Sequence, residues 1–148
     1  MKKFIITALI ILFSSSTFCQ VLHPVKWSYG IKRINRNEAI VYMKASIDDG
    51  WHIYSVNQAD GGPVRTSFIF TPSKDYQLLG EIAEPKPITK FEDAFNMNVK
   101  YLENSVVFQQ KVRLKSAHPI IVGKLNFMVC NNQKCLPPED INFSIPIK

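Results

Sequence analysis

Three observations predict an all-β protein, an immunoglobulin-like antiparallel β-sandwich of two sheets, over residues 20–148. Apolar and polar residues alternate in short runs, which is the period of a half-buried strand. Clusters of Gly, Pro, Asn and Asp cut the chain at near-regular intervals into some nine short strands. No stretch carries the spacing of a long amphipathic helix. With 148 residues, 46% of them hydrophobic, and only 6 glycines, the chain can bury one core.

The N-terminus precedes that domain. Met1-Lys2-Lys3 leads into an apolar run over residues 4–13, broken only by Thr7, and then into Ser14, Ser15, Ser16, Thr17, Phe18 and Cys19. A positive head, about ten apolar residues and a small-residue exit predict a secretory signal peptide over residues 1–19, because roughly twenty apolar residues are needed to span a bilayer. Cys19 could instead be lipidated at a lipoprotein-type cleavage site, but bulky Phe18 fits the preceding position poorly. The expected mature chain keeps Cys130 and Cys135, an even count in a disulfide-permissive compartment, with no stable membrane insertion. Without Lys2 and Lys3 its basic residues fall from 18 to 16 against 12 acidic ones. They are scattered, which suits solvated strand faces and guarded edges and offers no surface for nucleic acid.

The strands follow in order. Residues 25–34 alternate in part (Val25, Trp27, Tyr29, Ile31), and after the Asn35-Arg36-Asn37 turn residues 38–47 alternate cleanly through Ala39, Val41, Met43, Ala45 and Ile47, so the two should form a hairpin. Asp48-Asp49-Gly50 closes it. Extended structure resumes at residues 51–55 and breaks at Asp60-Gly61-Gly62-Pro63. Residues 66–71 form another strand, ended by Pro72, and two short runs flank Gly80. Residues 89–98, with Phe91, Glu92, Asp93, Phe95 and Met97, show neither period and are expected to form a structured loop. Strands return at residues 99–103 and 106–114. Residues 120–129 form the longest apolar run, and residues 141–147 alternate to the end and should pair with it.

That long run delivers Cys130-Asn131-Asn132-Gln133-Lys134-Cys135, which exits through Leu136-Pro137-Pro138-Glu139-Asp140. A turn is expected between the cysteines, and the prolines make a stiff exit. Three uses of the pair compete. A structural staple is the ordinary use, but a loop this short stabilises by only about 2 kcal/mol in the chain-entropy model. A metal site would need His52 or His118 to join the two thiolates, and no second close-spaced ligand pair exists, so neither metal nor cofactor is expected. Redox exchange needs an accessible sulfur and a leaving group, which a turn at a strand end can present. Lys134 would lower a neighbouring thiol pKa while Glu139 and Asp140 would raise it, so the sequence leaves open which cysteine is attacked. The spacing is not that of a thioredoxin-like motif, and the expected role is client or relay of such proteins.

These residues resemble a family. Asp49-Gly50-Trp51-His52-Ile53-Tyr54, Gly62-Pro63 before Thr66-Ser67-Phe68, Glu92-Asp93-Ala94-Phe95 before Val99-Lys100-Tyr101, and Cys130 with Cys135-Leu136-Pro137-Pro138-Glu139 are similar to the amino-terminal periplasmic domain of the thiol:disulfide interchange protein DsbD. The resemblance covers nearly all of the chain from Val25 onward. It implies a periplasmic location and a Cys130/Cys135 redox pair reduced by a thioredoxin-like partner, with electrons passed to other exported thiol proteins, including those of cytochrome c biogenesis. It further implies that Phe95 caps the pair, that Glu92 and Asp93 modulate thiol protonation, and that Trp51 and Tyr54 line the same pocket. Two departures stand out. The family's cysteines lie one residue further apart, and the family protein continues into a membrane electron carrier and a thioredoxin-like domain, so here those partners are expected on separate chains.

Two functions of different class remain. One is an exported thiol-disulfide relay, a protein-disulfide reductase-type module. The other is a non-catalytic immunoglobulin-like binding or assembly module with a structural disulfide.

Overall fold

Alternation in the sequence becomes a two-layered barrier against water. The computed structural model describes residues 22–148, and the expected signal peptide, its cleavage site and Cys19 lie outside the described residues. Among the described residues eleven strands form, all paired antiparallel: β1 (Val25–Asn35), β2 (Glu38–Ile47), β3 (His52–Tyr54), β4 (Ser67–Phe70), β5 (Tyr76–Ala83), β6 (Ile88–Glu92), β7 (Met97–Glu103), β8 (Ser105–Leu114), β9 (Ile120–Phe127), β10 (Val129–Cys130) and β11 (Glu139–Pro146). Together they make an immunoglobulin-like β-sandwich, as the alternation predicts.

The first sheet has the order β1-β2-β8-β5. Its inner face is written in the odd positions of β2 (Ala39, Val41, Met43, Ala45, Ile47) and the even positions of β8 (Val106, Phe108, Val112, Leu114), all buried. The opposite layer joins two smaller sheets, β10-β3-β7-β6 and β11-β9-β4. Ile53, Leu102 and Val129 of one and Ile121, Leu125, Phe127, Phe143 and Ile145 of the other share a single core with the first sheet. Trp27 of β1 ties the layers, with its ring 5.4 Å from Phe127, 5.8 Å from Phe68 and 5.9 Å from Phe108.

Three elements differ from the sequence reading. The runs around Gly80 are one strand, β5, whose pairing with β8 shifts between Leu79 and Ala83. Gly80 takes a φ of 68°, and the buried Gln110 amide donates to the carbonyls of Leu79 (3.2 Å) and Gly80 (3.4 Å), so side chain and glycine together accommodate the irregularity. The long run over residues 120–129 is two strands. At Met128 the chain leaves the β11-β9-β4 sheet and β10 joins β3, which carries Cys130 across to the other sheet. Residues 89–98 are no loop. They are most of a hairpin, β6 and β7, joined by a turn in which Phe95 N donates to Glu92 O and Asn96 N to Asp93 O. Asn96 sits at a φ of 51°, a left-handed position that asparagine tolerates.

Candidate functional site

The Cys130 turn is built by its own backbone. Leu136 N donates to Val129 O and Asn131 N to Lys134 O, each at 2.9 Å, so Cys130 and Cys135 face each other as a non-hydrogen-bonded antiparallel pair with Cα atoms 4.0 Å apart. Asn131 tightens the tip by accepting at Oδ1 from the amides of Gln133 (2.9 Å) and Lys134 (2.8 Å). The two sulfurs are joined as a disulfide. Their surroundings differ sharply: Cys130 is 1% exposed, whereas Cys135 is open to solvent.

Cys130 belongs to a small second core with Tyr54 and Val99, against which Phe95, Met97, Tyr101 and Met128 pack. The β6–β7 hairpin supplies Phe95 and Met97 and so lies over the cysteines. Its base is pinned from the other side. Buried Gln58 accepts from Lys100 N at 2.6 Å, continuing the pairing where β3 has ended, and Gly62 lies so close to Met97 that a Cβ there would come within 2.5 Å of its sulfur.

A cleft of about 570 Å³ opens beside the disulfide, lined by both cysteines, residues 131–134, and His52, Tyr54, Lys90, Glu92, Ala94 and Phe95. Tyr54, Phe95 and Glu92 are therefore gathered at the cysteines. Asp93 is not among the lining residues; it occupies the exposed turn of the hairpin. Trp51 is a correction. It packs against the main core and does not line the cleft, because Trp51 and Ile53 share one phase of the alternation and His52 and Tyr54 the other. Glu139 and Asp140 do not line it either; Asp140 accepts from Asn126 Nδ2 at 2.7 Å and Lys124 Nζ at 3.1 Å.

His52, which the sequence offered only as a possible metal ligand, also lines the cleft. It stands opposite Cys130 in the β3–β10 ladder and opposite Glu103 in the β3–β7 ladder. Its ring centroid lies 4.8 Å from that of Tyr101 and 5.3 Å from that of Tyr54, and its Nε2 is 3.3 Å from Tyr54 Oη. Burial holds its pKa below the ordinary histidine value, against the opposing pull of the Glu103 and Glu92 carboxylates. Burial, with Glu92 adding to it, pushes the Tyr54 phenol up to about 12, so it stays a neutral hydroxyl. The signal that could have found His52 is its spacing of two from Tyr54.

A family model described as thiol:disulfide interchange protein DsbD, N-terminal, matches residues 22–146. Among solved structures, the chain is similar to the N-terminal periplasmic domain of ScsB from Proteus mirabilis, with a TM-score of 0.61 at 16% identity over 84% of this chain and 49% of that one, so it spans about half of that relative's length. It is also similar to the Neisseria meningitidis DsbD N-terminal domain in the reduced form, with a TM-score of 0.51 at 17% identity over 79% of this chain and 82% of that one. A third likeness is to the complex between the DsbD N-terminal and PilB N-terminal domains from Neisseria meningitidis, with a TM-score of 0.55, 15% identity, and 84% and 87% of the two chains covered. At these identities the solved structures speak for the fold. No curated protein matches.

Proposed function

Because the chain belongs to the family of the N-terminal domain of the thiol:disulfide interchange protein DsbD, we propose that it is an exported thiol-disulfide relay working through Cys130 and Cys135. The observation that carries this reading is the asymmetry of the pair: one cysteine exposed at a cleft, the other buried behind it and beneath an aromatic cap. Exchange proceeds by attack of a thiolate along an open path to one sulfur, with the other as leaving group. An incoming thiolate reaches Cys135 Sγ, and Cys130 leaves as the thiolate. The partner's second thiol then releases the reduced domain. In the forward direction Cys135 attacks the disulfide of an acceptor and Cys130 closes the pair again, so two electrons pass from donor to acceptor.

The donor in this reading is a thioredoxin-like domain, itself fed by a membrane electron carrier, and the acceptors are other exported thiol proteins. The complex that a DsbD N-terminal domain forms with the PilB N-terminal domain supports docking of a separate partner domain. The periplasmic domain of ScsB supports the compartment. Phe95 acts as the cap that shields the pair until the partner docks, and Glu92 and Tyr54 set the polarity of the cleft wall.

Trapping tests the proposal. With a thioredoxin-like domain that lacks its resolving cysteine and carries its remaining cysteine as a mixed disulfide with nitrothiobenzoate, Cys130→Ser should displace the nitrothiobenzoate and accumulate a mixed disulfide through Cys135, and Cys135→Ser should accumulate far less. Failure of both variants to trap, together with a double Cys→Ala variant that keeps its partner and its biological role, would identify a binding module instead.

A further inference from the structure

Closing the disulfide requires Cys130 to become a thiolate inside the small second core. It is 1% exposed, among Tyr54, Val99, Phe95, Met97, Tyr101 and Met128, and such surroundings favour the protonated thiol. A base must therefore stand within the cleft. Lys90 and Lys134 are cationic there, and the Tyr54 phenol, pushed up to about 12, holds its proton. Glu92 is engaged by Lys90 Nζ at 3.7 Å, and a carboxylate is far too weak a base for a thiol. An imidazole has the right proton affinity near neutral pH.

We infer that His52, directly opposite Cys130 across the β3–β10 ladder, takes the Cys130 proton when the mixed disulfide resolves; this rests on the relay reading above. The Tyr54 and Tyr101 rings hold the imidazole in place, and with Nε2–H donating to Tyr54 Oη the unprotonated Nδ1 is the nitrogen assigned to the thiol. The charged and titratable groups around it are Glu103 and Tyr101 on β7, Glu92 and Lys90 on β6, Tyr54 on its own strand, and Lys134 with the two cysteines across the cleft. Burial keeps the imidazole neutral at rest, ready to accept, and the Glu103 and Glu92 carboxylates favour the imidazolium once it forms. The step balances. Cys130 Sγ–H gives its proton to Nδ1, and the sulfur attacks Cys135 Sγ. The bond from Cys135 Sγ to the acceptor sulfur then breaks, and that sulfur leaves as a thiolate, protonated by the imidazolium or by solvent. The cysteine pair is oxidised by two electrons and the acceptor disulfide is reduced.

The test uses the reduced protein and an aromatic disulfide, dithiobis(nitrobenzoate), which liberates a coloured thiolate at each half of the exchange. Cys130→Ser, which can release only the first, identifies the phases. In the native protein the rate of the second release should stay level between about pH 6.5 and pH 8. In His52→Phe and His52→Gln that rate at about pH 7 should be lower by about tenfold or more, falling about tenfold per pH unit toward acid as the Cys130 thiolate fraction falls. An identical second rate and pH profile in the native protein and either folded variant overturns the inference. If neither variant folds, the native profile decides, because a second rate without a level stretch also overturns it. Release of a single thiolate by the native protein at every pH would overturn both this inference and the relay itself.

Discussion

At the scale of single residues, Cys130 and Cys135 share one covalent bond but not one environment. After reduction, alkylation with iodoacetamide followed by mass spectrometry should label exposed Cys135 well before Cys130, by about tenfold or more in rate; equal labelling would contradict the asymmetry on which the proposed exchange depends. His52 makes a separate prediction about stability. Its folded pKa is depressed, so between that value and the ordinary histidine value of about 6.5 the unfolded chain binds more protons than the native one. Native stability should thus be complete above about pH 6.5 and decline as the pH falls below it. Urea unfolding of native protein and His52→Phe across that range checks this, with the variant expected to lose the extra acid sensitivity. Much of this neighbourhood could be read beforehand, because cysteines, a double proline and an Asp-Ala-Phe loop are recognisable without coordinates. Trp51 and His52 could not be sorted, because in a strand of three residues the phase of the alternation is fixed only by the pairing of β3 with β7 and β10.

At the scale of elements, the β6–β7 hairpin decides how accessible the disulfide is. Phe95 packs on the core that contains Cys130, and removing its ring should sacrifice about 1–2 kcal/mol of apolar burial. In Phe95→Ala the reduction of the disulfide by dithiothreitol should accelerate by up to about tenfold through a more populated open state; an unchanged rate would mean that the hairpin does not shield the pair. This hairpin was invisible to periodicity for a physical reason. β6 is an edge strand, with four of its five residues exposed, Ile88 and Phe91 among them, so no burial-driven alternation was written into it. β2 and β8 lie at the centre of their sheet, bury one face completely, and were legible for the same reason in reverse.

At the scale of the molecule, the sandwich does not depend on the disulfide. One core continues through all three sheets, and the Cys130–Cys135 loop closes only a short segment already held by two backbone hydrogen bonds. A double Cys→Ala variant should stay folded and lose no more than about 2 kcal/mol in urea unfolding. Gly123→Ala should cost about 1–3 kcal/mol without altering the chemistry of the pair, since a Cβ there would lie 2.5 Å from Ile69 O and from the Phe143 ring, where β9 is clasped between β4 and β11. The all-β sandwich was legible because its regular strands alternate. The crossing of the chain from β9 to β10 at Met128 was not, since an unbroken apolar run carries no mark of the sheet each half will join.

The reduction potential of the Cys130–Cys135 pair, measured by equilibration in a dithiol redox buffer with acid quenching and mass analysis, bears most directly on the relay. A working relay predicts a potential above about −300 mV, within reach of thioredoxin-like donors, whereas a value well below that would mark the bond as an inert structural disulfide and contradict the proposed function.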